Sequence, residues 1–243
     1  MKTLILAAAA AAAVTLVAGA ASAQPYGDGH RGAWLAWRAT SLEGNGAVYF
    51  RQTRGEKQYH FNVGEEPAPS AYGQRPSPRA LELSSDGHWG AFIADPTHAE
   101  GAKLKKQHKP LETHAGLVEL ATGKLTEFPR VRRFEFAGDN PDWIAFEKYG
   151  PEPAAAGRGG EGAANARRSP EDTPEADPKG SDLILRQLST GAEFNLGHVG
   201  EFAFDRHGHY LAYTIAAEDR SGNGVLLRDL ATGAPRALDS DNH

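Results

Sequence analysis

The sequence predicts an all-β fold made of repeated four-stranded antiparallel units, and three observations carry that prediction. The clearest unit spans residues 199–238, where runs of strand character at 201–204, 210–216, 224–230 and 235–238 are separated by Arg206-His207-Gly208, Ser221-Gly222-Asn223 and Ala231-Thr232-Gly233. Short alternating runs bounded by Gly, Asn and Ser are strand and turn chemistry. A corner recurs as Leu120-Ala121-Thr122-Gly123, Leu188-Ser189-Thr190-Gly191 and Leu230-Ala231-Thr232-Gly233. The composition agrees: 28 Gly and 15 Pro supply turns, while 10 Phe, 7 Tyr and 4 Trp fill a core. A meander of about forty residues is the size of one β-propeller blade. The expected fold is therefore β-propeller-like, with about four blades of four antiparallel strands in an incomplete propeller.

The chain opens on a secretory signal peptide, residues 1–23. Met1-Lys2 is its positive start, 4–17 its apolar run, and Ala21-Ser22-Ala23 a small-x-small cleavage site. The apolar run is shorter than the roughly 20 residues that span a bilayer. The mature chain, 24–243, is expected to be exported to the periplasm or beyond, without a membrane partner after cleavage.

The first unit, about 30–63, contains Ala33-Trp34-Leu35-Ala36-Trp37 followed by Gly44-Asn45-Gly46-Ala47-Val48-Tyr49-Phe50. This repeats the order Tyr210-Leu211-Ala212-Tyr213 and Gly222-Asn223-Gly224-Val225-Leu226-Leu227. Gly-Asn-Gly tolerates positive φ at a hairpin. An outer strand is expected at 57–61, but little between Gln24 and Gly32 reads as an inner one. The second unit, about 77–128, follows a Pro-rich connector and places Ser84-Ser85-Asp86-Gly87 between strands at 80–83 and 88–94; Asp-Gly there is a strong hairpin signal. Strands at 117–120 and 125–128 complete it. Residues 95–115 read as a solvated loop insertion, including the basic run Lys103-Leu104-Lys105-Lys106-Gln107-His108-Lys109.

The third unit, about 130–196, has strands at 131–136, 143–147, 182–188 and 193–196, with residues 151–180 inserted between its halves. That segment of Pro, Gly, Ala, Glu, Asp and Arg has too little apolar surface to offset ordering entropy and is expected to be disordered. Its length also accounts for the wider spacing of Gly123 to Gly191 relative to Gly191 to Gly233. The fourth unit is 198–238. In all three Thr-Gly corners the hydroxyl can bond local backbone and the glycine can take positive φ, so they read as hairpin turns rather than a ligand site.

The absence of cysteine in an exported chain excludes a disulfide framework, zinc–thiolate sites and a cysteine nucleophile. A formal charge of −5 provides no overall basic field for nucleic acid. Arg130, Arg132 and Arg133 beside Phe134 and Phe136 do not alter that reading. His98, His108 and His114 lack metal-ligand spacing. Asp139, Asp142, Asp239 and Asp241 lack the pattern of a calcium loop. No glycine-rich phosphate loop opens a helix.

Ser84-Ser85-Asp86-Gly87-His88-Trp89-Gly90-Ala91-Phe92, Tyr210-Leu211-Ala212-Tyr213 and the Thr-Gly corners resemble blade repeats of the N-terminal propeller in secreted bacterial serine peptidases of the prolyl oligopeptidase family. The low-complexity insertion followed by Gly180-Ser181-Asp182-Leu183-Ile184-Leu185, and later Asp219-Arg220-Ser221-Gly222-Asn223-Gly224-Val225, is similar to a large-insert subgroup. The resemblance covers most of the mature chain. It implies a module that filters peptide access to a catalytic α/β-hydrolase domain, whose Ser, Asp and His triad uses a Gly-x-Ser-x-Gly elbow. No such elbow occurs in these 243 residues. The chain therefore reads as a fragment from the front of a longer hydrolase, and no catalytic, cofactor-binding or metal residue, and no cofactor, is assigned to it. The short repeats alone also occur in TolB-like and WD-type propellers, so a free-standing periplasmic propeller that binds a partner is the alternative.

Overall fold

The computed structural model describes residues 33–39, 44–65, 80–139, 141–150, 180–217 and 222–240. The signal peptide expected at 1–23, the Pro-rich connector and nearly all of the insertion 151–180 expected to be disordered lie outside the described residues.

Antiparallel strands account for most of the described residues, arranged as consecutive blades. The first blade has three described strands: β1 (Trp34–Ala39), β2 (Gly46–Gln52) and β3 (Gln58–Gly64). The second has four, β4 (Leu81–Leu83), β5 (Trp89–Ala94), β6 (His114–Glu119) and β7 (Lys124–Phe128). A seven-stranded sheet follows, in simple sequence order from β8 (Val131–Phe136), β9 (Trp143–Lys148) and β10 (Ser181–Gln187) through β11 (Glu193–Phe204) to β12 (Tyr210–Ile215), β13 (Gly224–Asp229) and β14 (Pro235–Ser240). The architecture is an all-β, propeller-like row of about four blades whose sheets do not close into a ring.

Two expectations are corrected. Units three and four are not separated strands: β11 runs continuously, pairing with β10 over Glu193 to Leu196 and with β12 over Phe202 to Phe204. The change of partner occurs around His198, whose φ of 57° lets a strand turn from one blade into the next without ending. Arg130 also takes a positive φ, 58°, in the short bend where β7 ends and β8 of the next blade begins. The second correction concerns 95–115, which is not wholly loop. It holds helix α1 (His98–Lys106), started by a reciprocal capping box in which the Glu100 backbone N–H donates to Thr97 Oγ1 and the Thr97 N–H to Glu100 Oε2. Lysines in its last turn favour the C-terminal end of the helix dipole.

Consecutive blades bury facing sides of their sheets against one another, so the second and third are covered on both faces. Val48, Phe50 and Val63 of the first blade pack with Phe92, Ala94, Val118 and Leu120 of the second. Ala91, Ile93, Ala115 and Leu117 of the second meet Val131, Phe134, Ile144 and Phe146 of the third. Ala145, Leu183 and Leu185 of the third meet Phe202, Leu211 and Tyr213 of the fourth. Strand periodicity explains the division, since successive side chains point to opposite faces.

Corner chemistry is shared at atomic level. The backbone N–H of Gly123, Gly191 and Gly233 donates to the carbonyls of Glu119, Gln187 and Asp229. The hydroxyls of Thr122, Thr190 and Thr232 accept from the N–H of Lys124, Ala192 and Ala234. The leucine opening each corner is buried.

Candidate functional site

An antiparallel meander puts the turn between its first and second strands at the same end as the turn between its third and fourth. At that end, the described blades stitch to one another. Ser85 Oγ donates to the Asp139 carbonyl at 3.0 Å, and the Asp139 N–H donates to the Arg206 carbonyl at 2.8 Å. The Asp139 carboxylate also lies 3.7 Å from both Arg206 Nε and His207 Nδ1. Turns of the second, third and fourth blades thus form one continuous rim.

Between the third and fourth blades the rim opens into a groove of about 320 Å³, lined by Asp142, Trp143, Gln187, Gly208, His209, Tyr210, Asp229, Leu230 and Ala231. Its chemistry follows from repeated positions. The aromatic residue that begins the second strand of a blade pairs across the sheet with the residue that ends the third: Trp143 with Gln187, Tyr210 with Asp229. Trp143 is buried and Tyr210 is 40% exposed, so the fourth blade supplies the accessible ring.

The carboxylates of the groove are used locally. Asp142 accepts from Gln187 Nε2 at 2.8 Å and the Ser189 N–H at 3.0 Å. Asp229 accepts from the N–H groups of Ala231 and Thr232, each at 2.9 Å. The Thr232 bond leads in holding the Asp229 carboxyl below the ordinary range. Desolvation works against the charge on neighbouring Asp205, but N–H bonds from Tyr210, His207 and His209 outweigh it and also lower its pKa. All three carboxylates anchor turns through these hydrogen bonds. Among the described residues no group of three or more His, Cys, Asp or Glu is arranged to hold a metal ion.

No protein-family model and no curated protein matches the chain. Solved structures do. One is a prolyl endopeptidase, at 14% identity and TM-score 0.43, aligned over 87% of this chain and 29% of its own. Another is TolB from Acinetobacter baumannii, at 13% identity and TM-score 0.36, over 84% of this chain and 41% of its own. The β-propeller domain of the Trilobed protease from Pyrococcus furiosus aligns at 8% identity and TM-score 0.44, over 86% of this chain and 54% of its own. The chain therefore spans well under two thirds of each of these proteins, and likenesses of this size carry no functional argument.

The residues weighed in the sequence are dispersed. His98 begins α1 and sits 2.7 Å from Glu65 Oε2; His108 follows the helix at φ 54°; His114 opens β6, 3.9 Å from Glu127. Arg130 pairs with Glu112 at 2.8 Å. Arg132 and Arg133 both pair with the buried carboxylate of Glu147, and Arg133 reaches the fourth blade, its guanidinium 4.2 Å from the Phe202 ring. Asp139 belongs to the rim and Asp142 to the groove, while Asp241 lies outside the described residues. The groove itself was invisible in the sequence because it arises between blades. The repeated pairing of an aromatic residue with the end of the next strand was the signal available. Among the described residues no helix is long and apolar enough to cross a membrane.

Proposed function

We propose that the chain is a non-catalytic propeller module of an exported serine peptidase resembling the prolyl oligopeptidase family, and that it gates peptide access to a catalytic α/β-hydrolase domain supplied by the rest of the same protein. One observation supports this above the others. The blades repeat the same corners and the same face-to-face packing, yet the described row is left open at both ends. That is the form expected of part of a ring, and the blade motifs resemble those of peptidase propellers. A module of this kind has the hydrolase domain as its partner and meets peptides through it.

The test is to read the coding frame past His243 and to assay the encoded protein. Further blades followed by a Gly-x-Ser-x-Gly elbow, with hydrolysis of short peptides in preference to folded proteins, is the expected result. A natural stop at His243 with no adjacent hydrolase frame contradicts it, and favours a free-standing periplasmic TolB-like or WD-type propeller that binds a partner.

A further inference from the structure

The repeat lets the uncovered face of the first blade be compared with covered copies of itself. Cross-strand register places Leu35 opposite Arg51 in the first blade, Ile144 opposite Arg186 in the third and Leu211 opposite Arg228 in the fourth. The backbone around them agrees: Gln52, Gln187 and Asp229, each following one of these arginines, donate in the same way to Lys57, Ala192 and Ala234. Two residues along, Trp37, Phe146 and Tyr213 occupy one position on the same face.

In the third and fourth blades this face is covered by the preceding blade. Ile144 and Leu211 are 0% exposed, and Phe146 and Tyr213 are buried. Each arginine lies over an aromatic ring on the outermost strand of the blade before it, Arg186 5.6 Å from Phe128 and Arg228 5.0 Å from Phe194. In the first blade Leu35 is 57% exposed, Arg51 is exposed, and among the described residues Trp37 stacks on its own sheet, at 5.2 Å from Tyr49, which in turn stacks on His60.

We infer that this face, carrying Leu35, Trp37 and Arg51, is a docking surface for a further blade of the same chain, encoded beyond residue 243 and bearing an aromatic residue on its outermost strand opposite Arg51. This rests on the reading of the chain as part of a longer propeller. A second copy fits less well, because β14, the outermost strand of the fourth blade, holds Pro, Arg, Ala, Leu, Asp and Ser and offers no ring. The same repeat logic explains why the second blade lacks the arginine. Val118 stands opposite Gly90 there, and that interface is filled by the rings of Phe50 and Phe92.

Because the chain has no cysteine, Leu35→Cys creates its sole thiol, and Tyr49→Cys serves as a second position on the same face should the first fail to fold. Maleimide labelling is compared between the 243-residue chain and the chain extended along its own reading frame, with Leu211→Cys as the covered reference. The expected result is rapid labelling of the Leu35→Cys thiol in the short chain at every protein concentration, slowed at least about tenfold in the extended chain. Arg51→Ala should lower Tm in the extended chain and leave it unchanged in the short one. Slow labelling in the dilute short chain, labelling that slows as its concentration rises, equal labelling in both chains, or a frame that closes at His243 each overturns the inference. A freely labelled thiol in an extended chain that carries a Gly-x-Ser-x-Gly elbow sinks this inference alone. A protected thiol in an extended chain without that elbow sinks only the peptidase reading.

Discussion

The interface between the first and second blades and the interface between the third and fourth solve one packing problem in two ways. The first is apolar and aromatic: Phe50, Phe61 and Phe92 lie within about 6 Å of one another. Glycines make room for these rings, since a Cβ on Gly90 would sit 2.4 Å from the Phe50 ring and one on Gly116 2.4 Å from that of Phe92. The second interface adds charge to its aliphatic core. Arg228 covers Phe194, Arg133 covers Phe202 while binding Glu147, and Asp139 meets Arg206. The contrast teaches that a Thr-Gly corner shared by the second, third and fourth blades is compatible with different material between blades.

The largest test of that contrast is Phe50→Ala, which removes a fully buried ring from an interface with no polar substitute. A loss of about 3–5 kcal/mol is expected, measured by urea unfolding. A loss below about 1 kcal/mol would mean that the first blade does not depend on the second. Next is Glu147→Gln, which leaves Arg132 and Arg133 without their carboxylate. Because both guanidinium groups are half exposed, the cost should be smaller, about 1–3 kcal/mol. It should appear with little change in a Phe50→Ala background, the two sites lying in different interfaces.

Smaller again is Arg228→Met, which keeps the stem and removes the cation over Phe194. A loss of about 0.5–1 kcal/mol is expected, whereas Val118→Met at the equivalent place in the second blade changes only apolar volume. Equal effects of salt on both variants would show that the arginine acts by packing alone. The smallest effect concerns pH. Folded Asp205 titrates below an unfolded aspartate, whose pKa is about 3.9. Its contribution is thus present above about pH 4 and lost as the pH falls through its depressed value. Asp205→Asn should flatten the fall in Tm over that acid range, and an unchanged acid limb would show that the N–H bonds at the turn contribute nothing measurable.

Much of the fold was legible because strands carry their own alternation and the Thr-Gly corners mark where they reverse. Ser84-Ser85-Asp86-Gly87 and Asp205-Arg206-His207-Gly208 were readable as turns for the same reason. The helix at His98–Lys106 was missed because it has no apolar stripe and buries no residue; only Thr97 and Glu100, at capping-box spacing, announced it. The continuity of β11 was hidden because His198, not a glycine, takes the positive φ at its bend. Of the candidate site, Asp142 and Tyr210 could be placed on a turn and a strand start. The groove could not, since it depends on which blades are neighbours. The arginine and phenylalanine pairs were beyond reach for a related reason: Arg228 and Phe194 are brought together by the packing of two sheets, and no fixed sequence interval encodes that.

Amide hydrogen exchange along the 243-residue chain tests the central claim, that these blades form an open row, most directly. In an open row the strands of the second and third blades, covered on both faces, exchange slowest, while β1–β3 and β12–β14 exchange faster, opening from the ends. Uniformly slow exchange across all fourteen described strands would contradict the account, because it would mean that the first and last blades cover each other.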